Sequence, residues 1–369
     1  MGWDYRDTKA AHRYEFLQVS AHNLEEVYGT LDAVDLSGCS VDMGYYTDAR
    51  ASAKVRYLLD GWKRGSLIRI IDHVDSADYH EALGTFVATD DPSKLSNGVW
   101  VTDLALNSTL YMLSKDLLAS PVTVAAGASL RNAMCNIISG GLRQYRQPTW
   151  DKAATSTTVF ETGKSRLSCL FALADMAGVR LDVDGMGYIT MEPYVAPQQR
   201  TARLEINLND PRSVAHDDLA RSSDWMKLPS MAVVSYKYTE NGSGGKSVEH
   251  EIVGVAQAKD GDWHAASGPR GYRVTDYTSL NEMQPATQQH ANELAAQRLA
   301  KLSPETVNWS LTTQALPLRE GDAVALVLPD GGSQLGYEQR QRAFVKSMTY
   351  NLGDGTMKLT LKNVNGGDE

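Results

Sequence analysis

The stretch FETGKSRLSCLFALADMAGVRLDVDGMGYITMEPY runs from residue 160 to residue 194. Its reading decides the fold, because a helical period gives way to a strand period inside it. Leu167, Leu170, Phe171 and Ala174 stand at i, i+3, i+4 and i+7, an apolar stripe on one helix face that Gly178 closes. RLDV and YITMEP then read as two strands, and DGMG between them has the composition of a tight turn. Asp182 and Asp184 also admit a metal loop or a pair of catalytic acids. A calcium loop needs oxygen ligands at its positions 1, 3 and 5 and a bidentate Glu at 12. Counted from Asp182, position 5 is Met186 and position 12 is Pro193, so the spacing fails. Catalytic carboxylates need a cleft and partners from elsewhere, which the sequence does not display. The expected structure is a capped helix followed by a hairpin.

Outward toward the N-terminus, YEFLQVS, KVRYLL, SLIRIIDHV, ALGTFVATD and VWVTDLAL are short segments separated by turn residues and predict strands. DGWKRG at 60–65 predicts a hairpin connection and DDPSKLSNG at 90–98 a loop. In GASLRNAMCNIISGG, Leu130, Ala133, Met134, Ile137 and Ile138 form a second helical stripe, with Ser129 as N-cap and Gly140 as stop. Beyond residue 200 the strand pattern returns. SMAVVSYKYT and SVEHEIVGVA flank a Gly-rich tip, and TVNWSLTT, DAVALVLP, RAFVKSMTYN and TMKLTLKNV follow. One helix interrupts, with Ala291, Leu294, Ala295, Leu299 and Leu302 on its buried face and Ser303-Pro304 ending it. The predicted fold class is mainly β with an α/β insertion: a β-barrel-like domain over 1–114, an α/β module of two helices and a hairpin over 115–200, and a second β-barrel-like domain over 201–369 with a helix inserted near 285–302.

The composition bounds the function. A chain of 369 residues exceeds one ordinary core and implies two or three domains. Five Phe stand against 17 Tyr, which with few long helical runs favours strands. A net charge of −9 without a Lys/Arg cluster argues against specific nucleic-acid binding. Cys39, Cys135 and Cys169 are widely spaced and odd in number, so they make neither a disulfide framework nor a zinc set. The opening MGWDYRDTKA has no apolar core for a signal peptide, and no run is long enough for a membrane span.

Motifs for chemistry fail one after another. GSGGKS at 242–247 ends like a phosphate loop, but Glu240 holds the place of its first Gly. His80-Glu81 and His250-Glu251 begin a zinc-protease motif whose second His is replaced by Gly84 and Gly254. His73, Asp75, Asp78 and His80 hold ligand-type groups close together, which at a strand end predicts a solvated edge. Ser333 in GGSQLG misses the nucleophile elbow, and His216-Asp217-Asp218 has no nucleophile to serve. No catalytic residue, no metal site and no cofactor is expected.

The same 160–194 segment resembles a stretch of the tail hub proteins of tailed bacteriophages. Gly163, Ser165, Leu167, Leu170, Ala174, Asp184, Gly187, Pro193 and Tyr194 carry the likeness. LPLREGDAVALVLP and the strands after it resemble the end of hub β-domains, with Gly321-Asp322 and Gly353-Asp354-Gly355 as turns. HRYEFLQVS and ASAKVRYLLD stand where the first hub barrel begins. The resemblance implies a structural virion protein at the phage tail tip, made in the host cytoplasm and assembled as a homotrimer. Its two β-domains per subunit would present a ring matching a hexameric tail tube or distal tail protein. The passage for tape-measure protein and DNA would be lined or closed during DNA ejection, with receptor-binding or tip proteins as further neighbours. Lytic activity is not expected, since no hydrolase extension follows residue 369. Two Gly-rich segments, 259–273 and 329–342, carry Trp263, Tyr272 and Tyr337 as candidate interface aromatics. A carbohydrate-binding adhesion protein is the alternative from another class, and a peptidoglycan hydrolase a third.

Overall fold

A computed structural model of the chain describes residues 11–58, 62–74, 78–141, 144–155, 157–210, 215, 218–223, 228–241, 247–258, 275–281, 287–302, 307–329 and 339–363. It falls into two compact units, residues 1–220 with 310–364 and residues 221–309 with 365–369. The fold is mainly β with an α/β insertion, as expected.

The first unit opens with β1 (His12–Val19), β2 (Val27–Thr30), β3 (Ser40–Gly44), β4 (Ala51–Tyr57), β5 (Leu67–Val74), β6 (Tyr79–Asp90), β7 (Ser93–Ser96) and β8 (Val99–Ser108). Alternation sets their faces: in β4, Ala53, Val55 and Tyr57 are buried, while Lys54 between them is exposed. The pairing is antiparallel throughout, in the order β3-β4-β8-β6-β5-β1-β2. β7 overturns the loop expected at 90–98, for Ser93–Ser96 pairs with β8 from Ser93↔Thr102 to Ser96↔Val99. Asn97 (φ 50°) and Gly98 (φ 78°) supply the two left-handed residues that a two-residue hairpin turn needs. The Asn-Gly signal was present; the neighbouring Pro, Ser and Asp obscured it.

The insertion comprises α1 (Leu110–Lys115), β9 (Val122–Val124), α2 (Leu130–Gly141), β10 (Thr158–Phe160), α3 (Arg166–Ala177), β11 (Val179–Val183) and β12 (Ile189–Pro193). It has its own core, in which Met134, Ile137 and Ile138 of α2 join Leu167, Leu170 and Leu173 of α3 and Leu181, Ile189 and Met191 of the hairpin. Burying such side chains is worth about 1.5–3 kcal/mol each. The caps follow the sequence: Ser129 Oγ accepts from Asn132 N and Ser165 Oγ from Ser168 N, while Gly178 ends α3 at φ 71°. Cys135 and Cys169 lie in this core and Cys39 is buried elsewhere in the unit, all three as free thiols.

The chain continues with β13 (Ala202–Asn207) and β14 (Ala220–Ser223). The second unit contains β15 (Met231–Asn241), β16 (Ser247–Gln257), β17 (Thr275–Asn281) and α4 (Gln288–Leu302). β15 pairs antiparallel with β16 and parallel with β17. Ala291, Ala295 and Leu299 of α4 are buried, with Leu294 and Leu302 half-buried. Gly254 lets helix and sheet approach, since a Cβ there would overlap the Ala291 carbonyl. Of the phosphate-loop look-alike, 242–246 lie outside the described residues, as do Ser303 and Pro304.

The last strands are β18 (Val307–Gln314), β19 (Ala323–Val327), β20 (Arg340–Asn351) and β21 (Thr356–Asn363). β19 pairs parallel with β13 and antiparallel with β20, which also pairs with β21. β20 continues into the opening strands, from Ser347↔Gly44 to Asn351↔Ser40 of β3. The first and last β segments of the sequence thus share one continuous sheet.

Candidate functional site

The β11–β12 hairpin is the element on which the first unit's parts meet. Within it, Asp184 N donates to Tyr188 O, Gly187 N to Asp184 O, and Tyr188 N to Asp184 Oδ1, each at 2.9 Å. Asp184 therefore closes the turn, and Arg146 Nε pairs with its Oδ2 at 3.0 Å. Gly187 has φ 90°, the left-handed geometry the turn requires. Gly185 has no positive φ; a Cβ there would overlap the Ala82 carbonyl and crowd Arg319 Nη2. Its glycine serves close approach to β6.

Three successive carbonyls at the tip receive donors from the sheet. Thr85 Oγ1 donates to Gly185 O at 2.9 Å, Arg69 Nη2 to Met186 O at 3.0 Å, and Thr109 Oγ1 to Gly187 O at 3.0 Å. Arg69 also donates to Leu24 O at 2.7 Å and to Thr85 Oγ1 at 3.0 Å. Burial lowers its pKa, opposed by Glu25, Tyr188 and Asp184. The socket satisfies backbone groups that would otherwise be desolvated and unpaired, at a cost of about 1–3 kcal/mol each.

The other acidic residue serves a charged cluster beside the socket. Arg180 Nε pairs with Asp182 Oδ2 at 2.7 Å, and its guanidinium stacks 3.9 Å over the Tyr45 ring. Glu320 Oε1 lies 3.6 Å from Arg180 Nη2, an ion-pair distance that leaves this nitrogen without a hydrogen-bond partner. Burial first, then Asp182, push the Glu320 carboxyl up to about 8, against Arg180. Arg50 donates from Nε to Leu181 O at 3.1 Å and from Nη1 to Tyr45 O at 2.5 Å. Arg319 holds Glu81 at 3.3 Å and donates to Ala82 O at 2.7 Å. This cluster ties the hairpin, β6 and the turn before β19 together.

An aromatic face adjoins it. Tyr45 is buried, with Tyr46 and Phe344 edge-on at 5.0 and 5.3 Å between centroids. Tyr46, Tyr194 and Val195 are exposed. Burial and a hydrogen bond with Tyr45 raise the Tyr194 hydroxyl to about 12. Gly321 (φ 85°) sits under Tyr45, its carbonyl accepting from Arg200, while Asp322 Oδ2 accepts from Arg319 N and Arg203 Nη1, both at 2.8 Å. Exposed aromatic groups beside buried charge suit a protein contact surface.

Of the other residues singled out by sequence, Gly163 (φ 85°) precedes the Ser165 cap, Leu167 is in the core, and Pro193 ends β12 opposite Val179. Trp263, Tyr272 and Tyr337 lie outside the described residues, as do Asp75, His216, Asp217 and Ser333. Of the residues expected at a solvated edge, Asp78 and His80 are exposed and His73 is half-buried, but β5 is not an edge strand: His73 lies between Arg13 of β1 and His80 of β6, and its imidazole meets Glu15 at 3.1 Å. Asp218 accepts from Thr312 N at 2.9 Å. Among the described residues no three His, Cys, Asp or Glu stand together as a metal set. Sequence reasoning missed Arg69, Thr85, Thr109, Tyr45, Arg180 and Glu320. Only Arg69 carried a signal, a charge inside the apolar run SLIRII.

No protein-family model and no curated protein matches the sequence. Solved structures do. The chain is similar to a tail protein from Neisseria meningitidis MC58, with a TM-score of 0.64 and 12% identity over 95% of this chain and 96% of that one. A prophage MuSo2 tail protein from Shewanella oneidensis gives 0.61 and 11% over 95% and 98%. A prophage tail protein from Listeria monocytogenes EGD-e gives 0.56 and 11% over 96% and 95%. The likeness runs nearly end to end in each, so the chain has the fold of these tail proteins.

Proposed function

We propose that the chain is a structural, non-catalytic hub of a phage tail tip, acting as a homotrimer in the assembled virion. The observation that carries this is the fold likeness to three prophage or tail proteins, which covers 95% or more of this chain. Three copies with two β segments each, 1–114 and 201–369 flanking the 115–200 module, present six related surfaces to a hexameric tube or distal tail protein. A closed ring is the rule for cyclic assemblies. The hairpin socket and the charged cluster keep the module fixed on the sheet while the ring bears load from tape-measure protein and DNA. The Trp263, Tyr272 and Tyr337 segments, with the Tyr46–Tyr194 face, contact neighbouring tail components. The test is mass photometry of the chain alone and with its distal tail partner. A trimeric mass in either condition supports the reading; a monomer in both overturns it.

A further inference from the structure

The edge of the first unit carries a cleft that the assembly reading does not use. On one face of β4, β8 and β7 the register aligns Tyr57 with Thr102, Thr102 with Ser93, and Trp100 with Leu95. Trp62 and Arg64, from the β4–β5 connection, complete a cavity of about 520 Å³ with Asp91 at its rim, within the size range of small-molecule sites. Tyr57 is buried, whereas Trp100 is 60% exposed and Leu95 62%. Two donor–acceptor pairs line it: Ser93 and Thr102 hydroxyls lie 2.8 Å apart, and Arg64 Nη2 lies 3.1 Å from Asp91 Oδ2, while Trp62 Nε1 is buried without a hydrogen-bond partner.

We propose that this cleft binds a pyranose saccharide. The lining has one Arg and one Asp that already neutralise each other, so neither an anion nor a cation is favoured. A purely apolar occupant would strip water from the ion pair and two hydroxyls and give nothing back. A proline-rich peptide offers acceptor carbonyls but no donor to the second carboxylate oxygen of Asp91. A pyranose ring has a C–H face that stacks on Trp100, Trp62 or Tyr57, and equatorial hydroxyls that both donate and accept. Those hydroxyls match Arg64 as donor, Asp91 as acceptor, and Ser93 and Thr102 as either. In a tail protein such a cleft adds a contact with surface glycan to a part otherwise devoted to assembly.

The experiment titrates the full chain with methyl glucoside, methyl galactoside, rhamnose and the trimer of N-acetylglucosamine, with a proline decamer as competitor class. Saturation-transfer NMR and tryptophan fluorescence read binding. The expected result is saturable binding of at least one saccharide with a Kd of about 0.1–10 mM. Trp100→Ala, at an exposed position, weakens it about tenfold or more and Asp91→Asn several-fold, with wild-type melting temperatures. Absence of any saturating saccharide, saccharide binding unaltered in both variants, or saturation by the proline decamer alone overturns the proposal. None of these outcomes bears on the trimer.

Discussion

Two hairpins in the first unit start from the same local chemistry and end in opposite situations. β11–β12 turns through Asp184–Tyr188 with a left-handed Gly187; β7–β8 turns through left-handed Asn97 and Gly98. The first has its tip carbonyls taken by Thr85, Arg69 and Thr109, and Gly185 pressed on Ala82. The second leaves Leu95, Val99 and Trp100 exposed. Turn residues fix the bend of a hairpin, while its role depends on which side chains, from far along the chain, meet its tip and faces. A docked hairpin is a structural joint; an open one is a surface for something else.

The contrast breaks most sharply at Gly185. Gly185→Ala places a methyl against the backbone of β6, which cannot yield as a flexible side chain does, so a loss of about 3 kcal/mol or more is expected in urea denaturation. A loss below about 1 kcal/mol would mean that the tip is not seated. Next comes Arg69→Met, which keeps the apolar stem and leaves the Leu24 and Met186 carbonyls without their donor. About 2–4 kcal/mol is expected, with Thr109→Val costing about 1 kcal/mol through the one carbonyl it serves.

The same contrast shows what the sequence made legible. Helix stripes, caps, the Gly178 stop and the 180–194 hairpin are local properties, and they were readable because period and turn chemistry act over a few residues. The shared sheet was not, because β20 and β3 are about three hundred residues apart and the Ser347↔Gly44 register leaves no local mark. The socket was hidden for the same reason: Thr85 looks like an ordinary strand residue and Thr109 like an ordinary strand-end residue until a tip from residues 185–187 meets them. Gly185 is required by a neighbour far back in the chain, the Ala82 carbonyl, which no turn pattern reveals.

Glu320 sharpens the joint electrostatically. Its folded-state carboxyl, near 8, lies above the ordinary 4.5, so the folded chain holds a proton that the unfolded chain releases. Stability from this group is full below about 4.5, falls as pH rises, and is flat above about 8. Glu320→Gln stays neutral throughout, so its melting temperature should gain on wild type across that window. Parallel curves, or a variant losing ground as pH rises, would show that ionised Glu320 paired with Arg180 governs instead.

The open hairpin supplies the smallest effects. Gly98→Ala strains a left-handed residue (φ 78°) with open space around its Cβ, so about 1 kcal/mol is expected, from backbone alone. Trp100→Ser removes a large side chain that is 60% exposed and outside the buried core, so the change should stay within about 0.5 kcal/mol. A free exposed indole gives up little burial when deleted, unlike a core tryptophan, whose loss costs about 3–5 kcal/mol. Urea denaturation of Trp100→Ser beside Gly185→Ala therefore measures the two hairpins on one scale. If Trp100→Ser cost as much as the socket substitutions, the β7–β8 hairpin would be holding the sheet together, and its exposed face would need a structural explanation rather than a ligand.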